Sequence, residues 1–199
     1  VTLSNGARIT CQTPIEATCI VIATESLNET NDIIEIGGSA EGASEFPSVT
    51  SFFALSNDIE MKTIPSNLFK MMPNLEFFYA NDVNMEDVPT DCFKKCSKLQ
   101  LISLQKNQLM NLGQNFAMGC SQTYSLDLSY NFLMELNASS FKGLTALTTL
   151  NINFNFINVI GKGTFDAMPS LSYISMHMNR IAFVHPTAFM SLPNLNTLV

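Results

Sequence analysis

Leu126-Asp127-Leu128-Ser129-Tyr130-Asn131-Phe132-Leu133 holds the pattern from which the rest of the chain follows. Apolar residues stand five and three positions before the asparagine and two after it, and Leu136 adds one at plus five. The same arrangement surrounds Asn107, Asn155 and Asn179, each 24 residues from the next. Ile102 and Leu104, Leu150 and Ile152, Ile174 and Met176 fill the leading slots. Leu109 and Leu112, Ile157 and Ile160, Ile181 and Val184 fill the trailing ones. Alternation ahead of each asparagine predicts one short strand per unit, with every second side chain turned inward. A register kept over four units predicts a stack in which each unit packs mainly on its two neighbours.

Upstream, Leu75, Phe78, Ala80, Met85 and Val88 keep the register, with Val83 in the asparagine slot. Earlier still, Phe53, Leu55, Met61 and Ile64 fit if one extra residue is allowed near Asp58. Downstream, Leu195 and Leu198 open a further unit. A second column, Phe69, Phe93, Phe141, Phe165 and Phe189, is interrupted only at Ala117, and Met72, Cys96, Cys120, Leu144, Met168 and Leu192 follow three residues later. These predict the wide outer half of the core. The asparagine amides, with donors and an acceptor, are expected to bridge backbone groups that leave the strand ladder.

The repeated signature, together with stretches 126–131 and 141–144, resembles the typical 24-residue class of extracellular leucine-rich repeat. That resemblance implies an α/β-horseshoe solenoid with a parallel sheet on its concave face and an irregular or 3-10 convex side. Residues 1–47 lack the period. They are expected to form an N-terminal β-hairpin cap (8–12 and 18–23), a first parallel strand at 32–36 and a flexible acidic loop at 37–47. Residues 48–199 are expected to form about six units with an open C-terminal core edge, as in a chain that continues or is covered by another molecule. The two-cysteine cap and the stretch Phe46-Pro47-Ser48-Val49-Thr50 are similar to small secreted arthropod innate-immunity repeat proteins. The rival expectation is the N-terminal part of a Toll-like or adhesion receptor ectodomain.

Composition narrows the setting. The chain has 199 residues, 46% hydrophobic and 14% charged, enough apolar content for a substantial core. No apolar run approaches the roughly 18 residues of a membrane-spanning helix, so no membrane insertion is expected. Net charge is −7, and nine of the 17 acids lie in residues 1–60 against Arg8 alone. An acidic end and a near-neutral body argue against nucleic acid as a partner.

Cys11 and Cys19 are expected to pin the hairpin by a disulfide, and Asn28 and Asn137 head glycosylation sequons. Together they predict a secreted, extracellular protein. Cys96 and Cys120 occupy one slot in successive units, and two readings stay open: a disulfide across coils, or two buried thiols. Cys92 is then the odd cysteine, free or joined to another molecule. Lys94, Lys95 and Lys98 beside it would lower its pKa somewhat, although three lysines on a convex face are more often just solvated. An oligomer would form through Cys92 or the open C-terminal edge.

No nucleophile elbow or phosphate loop is present, and the register puts His177 and His185 on opposite sides of a coil. Cys92, Cys96 and Cys120 lack a fourth ligand in register. The expectation is a non-enzymatic protein with no cofactor and no metal. Its predicted function is to bind a partner protein through the concave face, using Phe77, Tyr79, Lys106, Tyr130, Phe132, Asn153, Phe154, Phe156, Tyr173, His177 and Arg180. A competing reading is structural: aromatics beside the asparagine packing on each other to stiffen the stack.

Overall fold

The computed structural model describes residues 48–55, 61–65 and 68–199 in full, and the backbone of 8–12 and 18–25. Nine strands form one sheet in the order β1-β2-β3-β4-β5-β6-β7-β9-β11. They are β1 (Arg8–Gln12), β2 (Thr18–Glu25), β3 (Ser51–Ala54), β4 (Phe77–Ala80), β5 (Leu101–Ser103), β6 (Ser125–Asp127), β7 (Thr149–Asn151), β9 (Tyr173–Ser175) and β11 (Thr197–Leu198). The hairpin β1–β2 is antiparallel, and from β2 onward every pairing is parallel. Two further strands, β8 (Val159–Ile160) and β10 (Phe183–Val184), pair in parallel beyond the asparagine turns. The result is the expected parallel-sheet solenoid, of about six turns with little helix.

The pairing turns the 24-residue period into a core column. Phe78 lies opposite Ile102, Ile102 opposite Leu126, Leu126 opposite Leu150 and Leu150 opposite Ile174. All five are fully buried. The first turn departs from the sequence reading. Phe52 pairs with Phe78 and Ala54 with Ala80, so β3 is offset by two extra residues rather than one. Phe52 and Ala54 face inward, whereas Leu55 is exposed and Phe53 lies outside, stacked on Tyr79 at 4.8 Å. Because side chains alternate along a strand, that one-residue slip exchanges its two faces. Residues 32–36, read as a first parallel strand, lie outside the described residues. The edge of β3 they would have taken belongs to β2.

The asparagines act as the sequence predicts. Asn131 Nδ2 donates to the carbonyls of Leu104 (2.9 Å) and Leu128 (3.0 Å), while its Oδ1 accepts from Leu109 N–H at 3.1 Å. Asn155 repeats this with Leu128 and Ile152 carbonyls and Leu133 N–H. Asn107 and Asn179 do the same in their own turns. Each amide thus satisfies buried backbone groups of two coils at once.

On the convex side, among the described residues, only α1 (Leu68–Met71) is α-helical; the turns at Cys92–Lys95 and Ala138–Phe141 are 3-10. The gap at Ala117 is filled by the residue before it. Phe116 is 1% exposed and meets Phe93 edge-on at 5.1 Å, while Phe93 meets Phe69 at 5.0 Å. Two glycines set the approach of these turns. A Cβ on Gly119 would fall 2.2 Å from the Phe93 carbonyl oxygen. One on Gly143, where φ is +98°, would fall 2.6 Å from the carbonyl oxygens of Ala117 and Met118.

Candidate binding surface

The residue before each repeat asparagine, and before Val83 in the same slot, has a left-handed backbone. Asp82, Lys106, Tyr130, Phe154 and Met178 have φ of 56°, 56°, 56°, 51° and 54°. None is glycine, although glycine adopts this region without strain. The conformation turns the chain out of its strand while keeping the amides bonded. Tyr130 N–H donates to the Asn153 carbonyl (2.9 Å) and Phe154 N–H to that of His177 (3.1 Å). One residue past the asparagine, Phe132 N–H donates to the Leu109 carbonyl and Phe156 N–H to that of Leu133. With backbone and asparagine committed inward, the flanking side chains project outward.

Two aromatic columns result. Tyr130 and Phe154 stack at 4.2 Å with planes 9° apart, and Phe132 and Phe156 stack at 5.7 Å and 6°. The Arg180 guanidinium carbon continues the second column 4.4 Å over the Phe156 ring, and His177 meets Phe154 edge-on at 5.2 Å. Tyr130 and Phe132 are 45% and 43% exposed, and Phe154 and Phe156 are half-buried between their neighbours. Met110 and Met134, two residues beyond this column in successive coils, are 60% and 58% exposed. Met178, at 64%, closes the far end. The sequence reading missed Met110 and Met134; their signal was the same 24-residue spacing at plus three.

The remaining candidate residues lie elsewhere. Phe77, Tyr79 and Tyr173 sit on the strands, the first two half-buried and Tyr173 exposed. Lys106 and His177 are exposed at the strand ends. Asn153 is 7% exposed, and its Oδ1 accepts from Ser175 Oγ (2.8 Å) and His177 N–H (3.0 Å), so it braces the face and offers little surface. Asp127 is similarly engaged with Ser129 and with Asn151 Nδ2. Beside the outward Phe53, Phe77, Tyr79, Leu101 and Tyr173, the strand ends carry a network of mutually bonded polar groups; the flank next to them is apolar.

Two hydroxyls approach an imidazole, Thr187 Oγ1 at 2.9 Å from His185 Nδ1 on the opposite side of the coil and Ser175 Oγ at 3.4 Å from His177 Nδ1 on this one. Ser175 is 2% exposed and its hydroxyl proton goes to Asn153, which leaves His177 none to take. His185 is occupied in the opposite turn, where its Nδ1 accepts from Thr187 N–H at 3.2 Å. Among the described residues, no group of three or more His, Cys, Asp or Glu is placed to hold a metal ion.

Cys92, Cys96 and Cys120 are free thiols, and the Cys96 thiol lies against that of Cys120. Burial, followed by that contact, pushes the Cys96 pKa far up. Burial is also the main cause of a raised pKa at Cys92, with Cys120, Asp87 and Asp91 adding to it. This reverses the expectation from the neighbouring lysines. Lys94 pairs instead with Asp91 (3.6 Å) and Lys98 donates to Asn74 Oδ1 (2.6 Å), both exposed to solvent, while the thiol lies against the core. Asn137 is exposed, and its Oδ1 caps the 3-10 turn by accepting from Ser139 N–H and Oγ. Asn28 and the side chains of Cys11 and Cys19 lie outside the described residues.

A stack of such coils, rigid inside and individually decorated along one flank, defines a repeat protein of the recognition-scaffold type. The model of the leucine rich repeat family matches residues 97–157, 121–181 and 145–199, over half the chain together, and the chain belongs to that family. No curated protein sequence matches it. Among solved structures it is similar to the Toll chain in the Toll–Spatzle complex of Drosophila, at 28% identity and a TM-score of 0.72. That match covers 76% of this chain and 20% of the other, so this chain spans about a fifth of that relative. The fold also matches a leucine-rich repeat protein of Leptospira interrogans (20% identity, TM-score 0.68, covering 77% of this chain and 37% of that one). A third match is the TLR13–ssRNA13 complex (20% identity, TM-score 0.60, covering 75% and 24%). No helix among the described residues is long and apolar enough to cross a membrane.

Proposed function

We propose that this chain is a secreted, non-enzymatic recognition module that binds a partner protein through the aromatic flank and the adjoining concave face, in an innate-immune setting. One observation carries the reading. The coils of Asp82 and Lys106 hold the same left-handed turn as those of Tyr130 and Phe154 without any aromatic in either column. Aromatics are therefore not required by the turn, and their clustering with Met and Arg in three consecutive coils matches the composition of interface cores. Likeness to the Toll chain supports the immune setting, as does the sequence resemblance to secreted arthropod repeat proteins. The sequons at Asn28 and Asn137 and the cysteines Cys11 and Cys19 support secretion.

The test is recovery of proteins from extracellular fluid of the source organism on immobilised chain and on a Tyr130→Ala/Phe154→Ala/Phe156→Ala variant. A protein retained by the first and lost from the second is the expected result. Identical recovery on both removes the flank from the reading. A second reading, that the chain is part of a Toll-like or adhesion receptor ectodomain, is favoured by the Toll likeness. It is decided by whether the transcript encodes a membrane span beyond Val199.

A further inference from the structure

Between the two aromatic columns lies a shallow cleft of about 350 Å³, lined by Phe154, Asn155, Phe156, Met178, Asn179 and Arg180. Its floor is chemically silent. The amides of Asn155 and Asn179 are committed to backbone groups of their own and neighbouring coils. Phe154, Phe156 and Met178 offer only apolar surface. Polar recognition in the cleft therefore falls to Arg180. Among the described residues its side chain forms no ion pair or hydrogen bond; its guanidinium carbon lies 4.4 Å over the Phe156 ring. The ring contact engages the guanidinium through its π cloud and accepts none of its N–H groups in a conventional hydrogen bond, so the donors that match a carboxylate stay available. No acidic side chain lines the cleft to neutralise it.

We infer that this cleft receives a segment of the partner protein in which an acidic side chain stands beside an apolar one, the carboxylate on Arg180 and the apolar group between Phe154 and Met178. The inference rests on the flank being the binding surface and adds the chemistry of what it binds. Arg180 is then a specificity residue: it rejects an amide in place of the acid, and the aromatic columns alone would not.

The probes are acetyl-Phe-Glu-amide and its neutral isostere acetyl-Phe-Gln-amide, titrated into protein carrying ¹³C-methyl methionine, with the Met178 methyl signal as the readout. The acid is expected to bind about three- to fivefold tighter than the amide, the upper part of the range of an exposed ion pair. Arg180→Gln should erase the preference, Arg180→Lys should keep most of it, and added salt should shrink it. The Arg180 side chain is exposed and forms no ion pair or hydrogen bond among the described residues, so both variants should fold. Equal binding of the two peptides, or a preference that survives Arg180→Gln, overturns the charge assignment and leaves the aromatic flank standing. A Met178 signal unmoved by either peptide overturns the cleft as a ligand site. The proposed function would then fall only if the alanine variant above also retained the partner.

Discussion

The coils of Lys106 and Phe154 have the same scaffold and different surfaces. Both place a left-handed residue before a buried asparagine, and both asparagines bridge two coils through near-identical bonds. Around the first stand Lys106 and Gln108; around the second stand Phe154 and Phe156. The scaffold tolerates either dressing, so its stability and its surface chemistry are separable. Packing that stiffens the stack and binding that uses it thereby become distinguishable by experiment.

The largest effects should come from the scaffold rather than from its dressing. Gly143→Ala adds a Cβ 2.6 Å from two backbone oxygens at a φ of +98°, and about 3 kcal/mol of stability should be lost. Asn155→Ala orphans the buried Leu133 N–H and removes a donor from two carbonyls, again costing about 3 kcal/mol. Denaturant unfolding measures both. If either variant unfolds at the wild-type midpoint, the coils are not held as described.

Next in size is a pH effect that starts at the convex thiols. Burial holds the Cys96 pKa above that of the unfolded chain, about 8.5. The folded state then keeps a proton that the unfolded state releases. Its contribution is full below about pH 8.5 and declines above it, by about 1.4 kcal/mol per pH unit for one thiol. The unfolding free energy should fall between pH 8.5 and 10.5, and less steeply in Cys96→Ala. Matching slopes would mean that Cys96 opens to solvent before the coil unfolds.

Smaller again is the effect that separates the two readings of the aromatics. Phe154→Lys/Phe156→Gln gives this coil the flank of its neighbour two units earlier. The stacked pairs contribute about 1 kcal/mol beyond their area, and both rings are only half-buried. The double variant should therefore lose about 1–2 kcal/mol, less than Asn155→Ala, while losing the partner. A loss as large as that of Asn155→Ala would assign the aromatics to packing.

The solenoid was legible because one period fixes the strand, its inward slots and the asparagine together. Reading failed where a local choice was not periodic. Phe116 rather than Ala117 closes the aromatic column, and two extra residues rather than one precede β4, which turned Phe53 and Leu55 outward. Within the site, register placed the two columns correctly but could not show that Asn153 is closed over by Ser175 and His177. For Cys92, three lysines in sequence suggested a low pKa, but sequence proximity does not reveal the burial that raises it. The left-handed column gave no signal, since Asp82, Lys106, Tyr130, Phe154 and Met178 include neither glycine nor asparagine.

That column yields the smallest prediction and the sharpest comparison. At Lys106 the side chain is exposed, so substitution there probes the backbone almost alone. A non-glycine residue in this region bears about 1 kcal/mol of strain, and glycine trades it for a greater loss of chain entropy on folding. Lys106→Gly should thus change stability by less than about 0.5 kcal/mol. Lys106→Val places a β-branched side chain at φ 56° and should destabilise by about 1–2 kcal/mol. The same pair of substitutions at Phe154 should both be costlier, by the stacking each removes from Tyr130. If glycine and valine are equivalent at Lys106, the left-handed turn is not shared between the two coils. The control on which the binding surface rests would then be withdrawn.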